Sequence, residues 1–425
     1  MYQDKSWEMK LKIGYWLGNA NPDYGGISPY AWRVLEMILS QSSSQNLYIL
    51  ILGSPDVKKN CIELINKYKA TAKIYTIQTK VMLVNSGINQ FANLISKFLV
   101  KANLPSKWLK YLNPFFYWFA SLDIDFLHVP YQTAPQYDLP YPLVVTMHDV
   151  QELHYPEFFT PEERANRAEH YWRALKHSSA VIVSYDHVKK DLIKYFHLPD
   201  SKVYVCPIPY DQISLQSPSD EEARIYQQEY AYWDIFVLYP AQTWQHKNHL
   251  SLIKAVQLLK EKCNRIIHLV CTGKKNPEFF PVIENYLKKS EIAHQVHFLD
   301  IVSEPELYWL YKNCSLVVIP TLYEAGSFPL LEAMSLQAPV ICSSVTSLPE
   351  TIGDTRFVFD PLDIEKMASL IIELLDDSEL RATNIVNGKQ RIKKLIKIDS
   401  FPYFIKAWKS MINRPPAKIG TDYVK

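Results

Sequence analysis

No two of the six cysteines, at positions 61, 206, 263, 271, 314 and 342, are spaced C-x-x-C, and no histidine cluster accompanies them. Structural zinc and a disulfide framework are therefore not expected, and a reducing compartment is the natural setting. Long hydrophobic runs are also missing. The opening stretch MYQDKSWEMKLKIGYWLG has no apolar core of the kind a signal peptide carries. The densest aromatic run, PFFYWFA at Pro114–Ala120, is far short of the ~20 residues that a spanning helix needs. Charge of one sign is not in excess: the formal net charge is +2, so no global field points to nucleic acid. No GxxxxGK[ST] occurs, which excludes a P-loop NTPase. One absence is local. From Val81 to Leu122 there is no Asp or Glu, while Lys97, Lys101, Lys107 and Lys110 lie among Trp108, Tyr111, Phe115, Phe116 and Trp118. Lysines beside interfacial aromatics suit a segment lying on an anionic bilayer, and first-domain helices with core aromatics are the alternative.

What is present is ordinary globular composition, 48% apolar and 21% charged over 425 residues. That length suggests two or three domains. The pattern is strand, loop, helix, repeated. KLKIGYWLG reads as a strand into the breaker-rich loop GNANPDYGGISPY, and AWRVLEMILSQ follows with helical spacing. LYILILG, DFLHVPY, PLVVTMHD, AVIVSYD and VYVCPIP continue the series. After the polar stretch YDQISLQSPSDEEARIYQQEYAYWD the pattern restarts with IFVLYPA, RIIHLVCTG, VHFLD, SLVVIP, PVICS and RFVFD, separated by helices. Strands alternating with helices predict parallel sheets covered on both faces. The fold expected is α/β, with two doubly wound halves over 1–210 and 211–395 and a helical tail over 396–425. Two such halves create a cleft, and ligands of such sheets bind at the carboxyl ends of the strands.

The stretch YEAGSFPLLEAMSLQAPVI, from Tyr323 to Ile341, carries two glutamates, Glu324 and Glu332. Glu324 lies just past the strand SLVVIP. Pro329 fits the first position of the next helix, where its missing N–H costs nothing, and that would put Glu332 in the helix's first turn. The backbone N–H groups of Ala325–Phe328 at the helix start form an anion site. Two carboxylates flanking an anion cradle suit a sugar carried on a phosphate.

The same stretch, extended to Asp354, resembles the E-x7-E signature of the retaining GT-B glycosyltransferases of family 4. The usual Glu-Gly-Phe-Gly is here Glu324 followed by Ala325, Gly326, Ser327 and Phe328, so the glycine has moved. YPAQTWQHKNH (Tyr239–His249) resembles the family's phosphate-binding loop, with Lys247 as its lysine. The arginine often found near Gln242 is absent, and His246 is a weak candidate to replace it. VVTMHDVQELHYPEFF resembles the acceptor-domain histidine motif, with His148, and DYGGI resembles the first glycine loop, with Gly26.

The resemblance implies a fold of two Rossmann-like domains, the first binding acceptor and the second the nucleotide-sugar donor, with the tail packing back on the first. Catalytic roles are implied for Glu324, His148 and Lys247. Donor binding is implied for Gly26, Lys247, Gly326, Ser327, Phe328 and Glu332, with Glu324 on the sugar and Glu332 on the ribose. Retention of anomeric configuration is implied, with no cofactor beyond the nucleotide-diphosphate sugar. No metal is expected, although Asp123–Asp125 has DxD spacing. The HDVQELHYPEFF region resembles mannosyl- or rhamnosyl-type members, which favours GDP-mannose. A glycan or lipid-linked acceptor is expected, in cell-surface polysaccharide or glycolipid synthesis. The protein is expected to be cytoplasmic and, if 81–122 binds anionic lipid, peripheral on the inner membrane face. The alternatives are a non-catalytic nucleotide-sugar-binding protein, and an epimerase or hydrolase on the same scaffold.

Overall fold

Seven short apolar segments assemble into one parallel sheet: β1 (Leu11–Gly18), β2 (Leu47–Gly53), β3 (Ala72–Thr76), β4 (Phe126–Val129), β5 (Leu143–Thr146), β6 (Ala180–Val183) and β7 (Val203–Val205). Their order is β3-β2-β1-β4-β5-β6-β7. The computed structural model describes residues 10–20, 27–77, 114–137, 139–210 and 215–412. Alternation along the strands sends Ile13, Tyr15, Leu17, Ile49 and Ile51 to one face and Leu50, Leu52, Leu127, Val129 and Val145 to the other. Both faces are therefore core, which is why these strands read as unbroken apolar runs.

On the first face lie the helices Ile27–Gln41 and Phe401–Ile412. The second of these comes from the far end of the chain. Its Phe404 and Trp408 are fully buried, and Trp408 packs on Phe126 with ring centroids 5.6 Å apart. Accordingly the chain divides into one unit of Met1–Pro209 with Asp399–Lys425, and a second unit of Tyr210–Ile398.

The second unit holds a six-stranded parallel sheet of β8 (Phe236–Pro240), β9 (His268–Thr272), β10 (Val296–Phe298), β11 (Leu316–Ile319), β12 (Val340–Ser343) and β13 (Val358–Phe359). Its order is β10-β9-β8-β11-β12-β13. In each sheet the chain first runs to one side and then returns to pair beside its first strand, so the order reverses at β1/β4 and at β8/β11. The loops leaving the carboxyl ends of strands at such a reversal are where doubly wound sheets bind ligands.

The described part of the lysine- and aromatic-rich segment takes the core alternative. In the helix Pro114–Ala120, Phe116 and Phe119 are 7% and 2% exposed, and Trp118 packs beside Phe119 against the second face. Phe116 is therefore buried and Trp118 half-buried, while Tyr117 between them is 54% exposed. Residues 81–113, with all four lysines, lie outside the described residues. No described helix is long and apolar enough to cross a membrane.

Candidate functional site

The loop after β8 carries Lys247 in a short 3-10 turn, Gln245–Lys247. The loop after β11 carries Glu324. These loops are laced together by backbone bonds. The Leu322 N–H donates to the His246 carbonyl at 2.7 Å, and the Thr321 hydroxyl lies 3.0 Å from that oxygen and 2.8 Å from the Tyr323 carbonyl. Asn248, in the left-handed region at φ 60°, donates its amide to the Pro320 and Pro361 carbonyls at 2.9 and 3.0 Å. From the strand itself, the Tyr239 hydroxyl donates to the Lys247 carbonyl at 2.8 Å. The result is an ion pair. Lys247 Nζ lies 2.5 Å from Glu324 Oε2, with the two side chains only 18% and 14% exposed. The pair sits at the β8/β11 reversal.

Gly273 closes the neighbouring strand end. It has φ +101°, and a Cβ there would stand 2.8 Å from the Gln242 N and 2.9 Å from the Ala241 carbonyl carbon. Only glycine lets the loops after β8 and β9 approach this closely.

The helix after Glu324 begins one residue earlier than the sequence suggested. It runs Phe328–Ser335, with Ser327 as its N-cap accepting from the Leu330 N–H at 3.4 Å. Pro329 is therefore its second residue, and Glu332 lies in the second turn rather than the first. A serine preceding Phe-Pro wins the cap because its hydroxyl satisfies an otherwise orphaned amide. The Leu330 N–H is thereby taken by the cap and Pro329 has none, so neither adds a donor to the Ala325–Phe328 loop named from the sequence. Glu332 accepts from the Tyr311 hydroxyl at 2.8 Å. Burial and the Glu332 charge raise the Tyr311 pKa well above its usual range, so the phenol keeps the proton it donates.

His148 belongs to the first unit, just past β5. Its Nε2 lies 3.0 Å from the Pro130 carbonyl, directly after β4. A carbonyl can only accept, so Nε2 carries the proton and Nδ1 presents a lone pair. Burial lowers the His148 pKa, which keeps the ring neutral near pH 7. Tyr30 packs edge-on against it at 4.8 Å. Gly26 lies outside the described residues.

The DxD carboxylates are occupied by one residue. Asp123 pairs with Lys12 Nζ at 2.7 Å, and Asp125 accepts the Lys12 backbone N–H at 2.7 Å. Lys189 pairs with Asp200 at 2.8 Å. A cavity of about 510 Å³ in the first unit, with Lys10, Lys12 and Lys73 on its wall, lies toward the amino ends of β1–β3, away from the ends that bind ligands in such sheets.

Sequence reasoning named Lys247, Glu324 and Glu332 but missed their supports: Asn248, Gly273, Thr321, Tyr311 and Thr346. A Lys-Asn pair just before an apolar helix was a usable signal for a left-handed cap at Asn248. The other four had none, because their partners are distant in sequence.

Comparison with known proteins bears on both units. A family profile described as glycosyl transferases group 1 matches residues 228–391. One described as glycosyltransferase family 4 matches residues 81–212. The O-antigen chain mannosyltransferase B of Escherichia coli is 27% identical over 265 residues, covering 61% of this chain and 69% of that protein. The serotype-specific mannosyltransferase WbdA of Escherichia coli is 26% identical over 253 residues, 58% of this chain but only 30% of that protein. Among solved structures, Anabaena Alr3699/HepE in complex with UDP and glucose superposes with a TM-score of 0.63 at 17% identity, over 94% of this chain and 99% of that one.

Proposed function

The chain belongs to the family 4 glycosyltransferases of GT-B fold, and from that premise we propose that it transfers a mannosyl residue from GDP-mannose, with retention, to a glycan or lipid-linked acceptor in polysaccharide synthesis. The observation that carries the reading is the Lys247–Glu324 pair at the β8/β11 reversal. Mannose is favoured by relatives that are themselves named mannosyltransferases.

Breaking the bond from the anomeric carbon to the diphosphate leaves positive charge on the sugar and negative charge on the leaving phosphate, and the site must stabilise both. On donor arrival Lys247 exchanges the Glu324 carboxylate for a phosphate oxygen. The Gly326 and Ser327 amides add donors to that anion. Glu324, released, accepts hydrogen bonds from the sugar hydroxyls. Glu332, held by Tyr311, accepts from the ribose. The Nδ1 lone pair of His148 accepts from a hydroxyl of the transferred sugar. No metal enters this scheme, and activity should persist in excess chelator; loss that Mn²⁺ or Mg²⁺ restores would overturn that part. Peripheral binding to an anionic membrane rests on the sequence of residues 81–113 alone. Sedimentation with anionic liposomes at low and high salt tests it, and equal supernatants with and without liposomes at low salt would remove it.

A panel of nucleotide sugars screened by thermal shift, followed by an assay of nucleoside diphosphate release with and without acceptor, tests the main reading. A ligand that binds only the folded state raises the melting temperature. GDP-mannose should give the largest shift, and diphosphate release should need acceptor. Binding without release would mark a non-catalytic nucleotide-sugar-binding protein, the reading favoured by the displaced glycine and by the missing arginine near Gln242. Acceptor-independent release would mark a hydrolase.

A further inference from the structure

We propose that Thr346 is a positioning residue for Glu324, a role that rests on Glu324 being the donor-site carboxylate. Thr346 lies three residues past β12, the strand beside β11. Its φ is +50°, inside the left-handed region where a Cβ crowds the backbone and a β-branched side chain is a marked outlier. The other non-glycine residues with positive φ among the described residues are Asn46, Lys69, His197, Asn248, Asn264, Asp300 and Gln337. None of those is β-branched. A position that needed only a turn would be better served by glycine or asparagine, so the threonine calls for a reason beyond the turn.

The reason is on its side chain. Thr346 Oγ1 donates a short hydrogen bond to the backbone carbonyl of Glu324, and the Ser347 hydroxyl reaches the same oxygen at 3.4 Å. At the end of β12 itself, Ser343 donates its hydroxyl to the Thr321 carbonyl at 2.6 Å. Hydroxyls from the end of β12 therefore grip the 321–324 loop at both ends. The Leu322 N–H of that loop in turn donates to the His246 carbonyl, beside Lys247, at 2.7 Å. The left-handed turn is what swings the Thr346 hydroxyl onto Glu324. Strain held at one residue is offset by fixing the backbone of the residue whose carboxylate must move between lysine and sugar. A fixed backbone lets that carboxylate change partner by side-chain rotation alone, without loop rearrangement.

Three variants separate this role from simple stability. Thr346→Val keeps the branched shape and loses the hydrogen bond. Thr346→Ser keeps the hydroxyl. Thr346→Gly relieves the strain and loses the hydroxyl. Each is measured for Tm, for kcat and donor KM in diphosphate release, and for amide hydrogen exchange over residues 321–326. The expected result is a fall in kcat of about tenfold or more in Val and Gly, with donor KM little changed and exchange over 321–326 accelerated. Ser should stay near wild type in all three. Gly should match or exceed the wild-type Tm while still losing kcat, a split that a merely structural residue would not give. Wild-type kcat and exchange in the Val and Gly variants would overturn the proposal, as would a Ser variant as impaired as Val. If the wild-type protein neither binds a nucleotide sugar nor releases diphosphate, the functional reading fails instead. The exchange data then decide on their own whether Thr346 holds the Glu324 loop.

Discussion

Lys247 and Glu324 stand 2.5 Å apart at the carboxyl ends of adjacent strands, although 77 residues separate them in the chain. Lys247 is thus already paired with a carboxylate. On the proposed reading, donor phosphate competes with Glu324 for Lys247.

Glu324→Gln should therefore separate binding from transfer. Removing the competing charge frees Lys247, so a nucleoside diphosphate should bind about tenfold tighter, or ~1.4 kcal/mol. Transfer should fall to a small fraction of wild type. Calorimetric titration beside a diphosphate-release assay reads both; weaker binding with normal turnover would contradict the exchange of partners.

Tyr311→Phe removes the hydroxyl that holds Glu332 at 2.8 Å and keeps the buried ring. One such hydrogen bond is worth about 0.5–1.5 kcal/mol, so donor KM should rise about two- to tenfold with kcat little changed. Glu332→Ala should raise KM further. A change confined to kcat in either variant would move Glu332 away from the nucleotide.

Stability should fall in mild acid. Burial holds His128 and His249 down to about 3, and His187 and His297 down to about 4, from an ordinary 6.5. Between pH 6.5 and 4 the unfolded chain binds protons at these four sites that the folded chain refuses. Their contribution is complete above pH 6.5 and declines as pH falls toward their folded values. Each contributes a slope of up to about 1.4 kcal/mol per pH unit. Urea midpoints should be markedly lower at pH 5 than at pH 7, and His128→Phe should flatten the slope. Equal midpoints at the two values would refute the burial assignment.

The C-terminal helix should be indispensable to the first unit. Trp408 is fully buried, and its replacement by Ala should cost about 3–5 kcal/mol. Among the described residues its Nε1 finds no hydrogen-bond partner, so Trp408→Phe should be far milder. Differential scanning calorimetry distinguishes the two, and a Phe variant as unstable as Ala would mean that the indole nitrogen is bonded after all.

Most strands were legible because both sheet faces are buried, which writes each strand as an apolar run such as LYILILG or SLVVIP. The exception shows the rule. β3, Ala72–Thr76, is an edge strand with three exposed residues of five, and its sequence AKIYT carries no run to read. The sequence placed Pro329 at the first position of the helix after Glu324, and the folded backbone starts it one residue earlier because Ser327 caps the Leu330 N–H.

By itself the sequence determined the class of fold, the restart of the pattern near residue 210, and the identity of the charged residues at strand ends. These are local properties: periodicity, breakers, and a carboxylate beside a turn. Tertiary structure alone decided who touches whom. The reversal of strand order at β8/β11 brings Lys247 to Glu324. Close approach of neighbouring loops requires Gly273, and the left-handed turn after β12 aims Thr346 at the Glu324 carbonyl. Such contacts depend on which strands become neighbours, which chain-local propensities do not encode. They are set when buried apolar faces choose a strand order and the polar ends that follow must find partners.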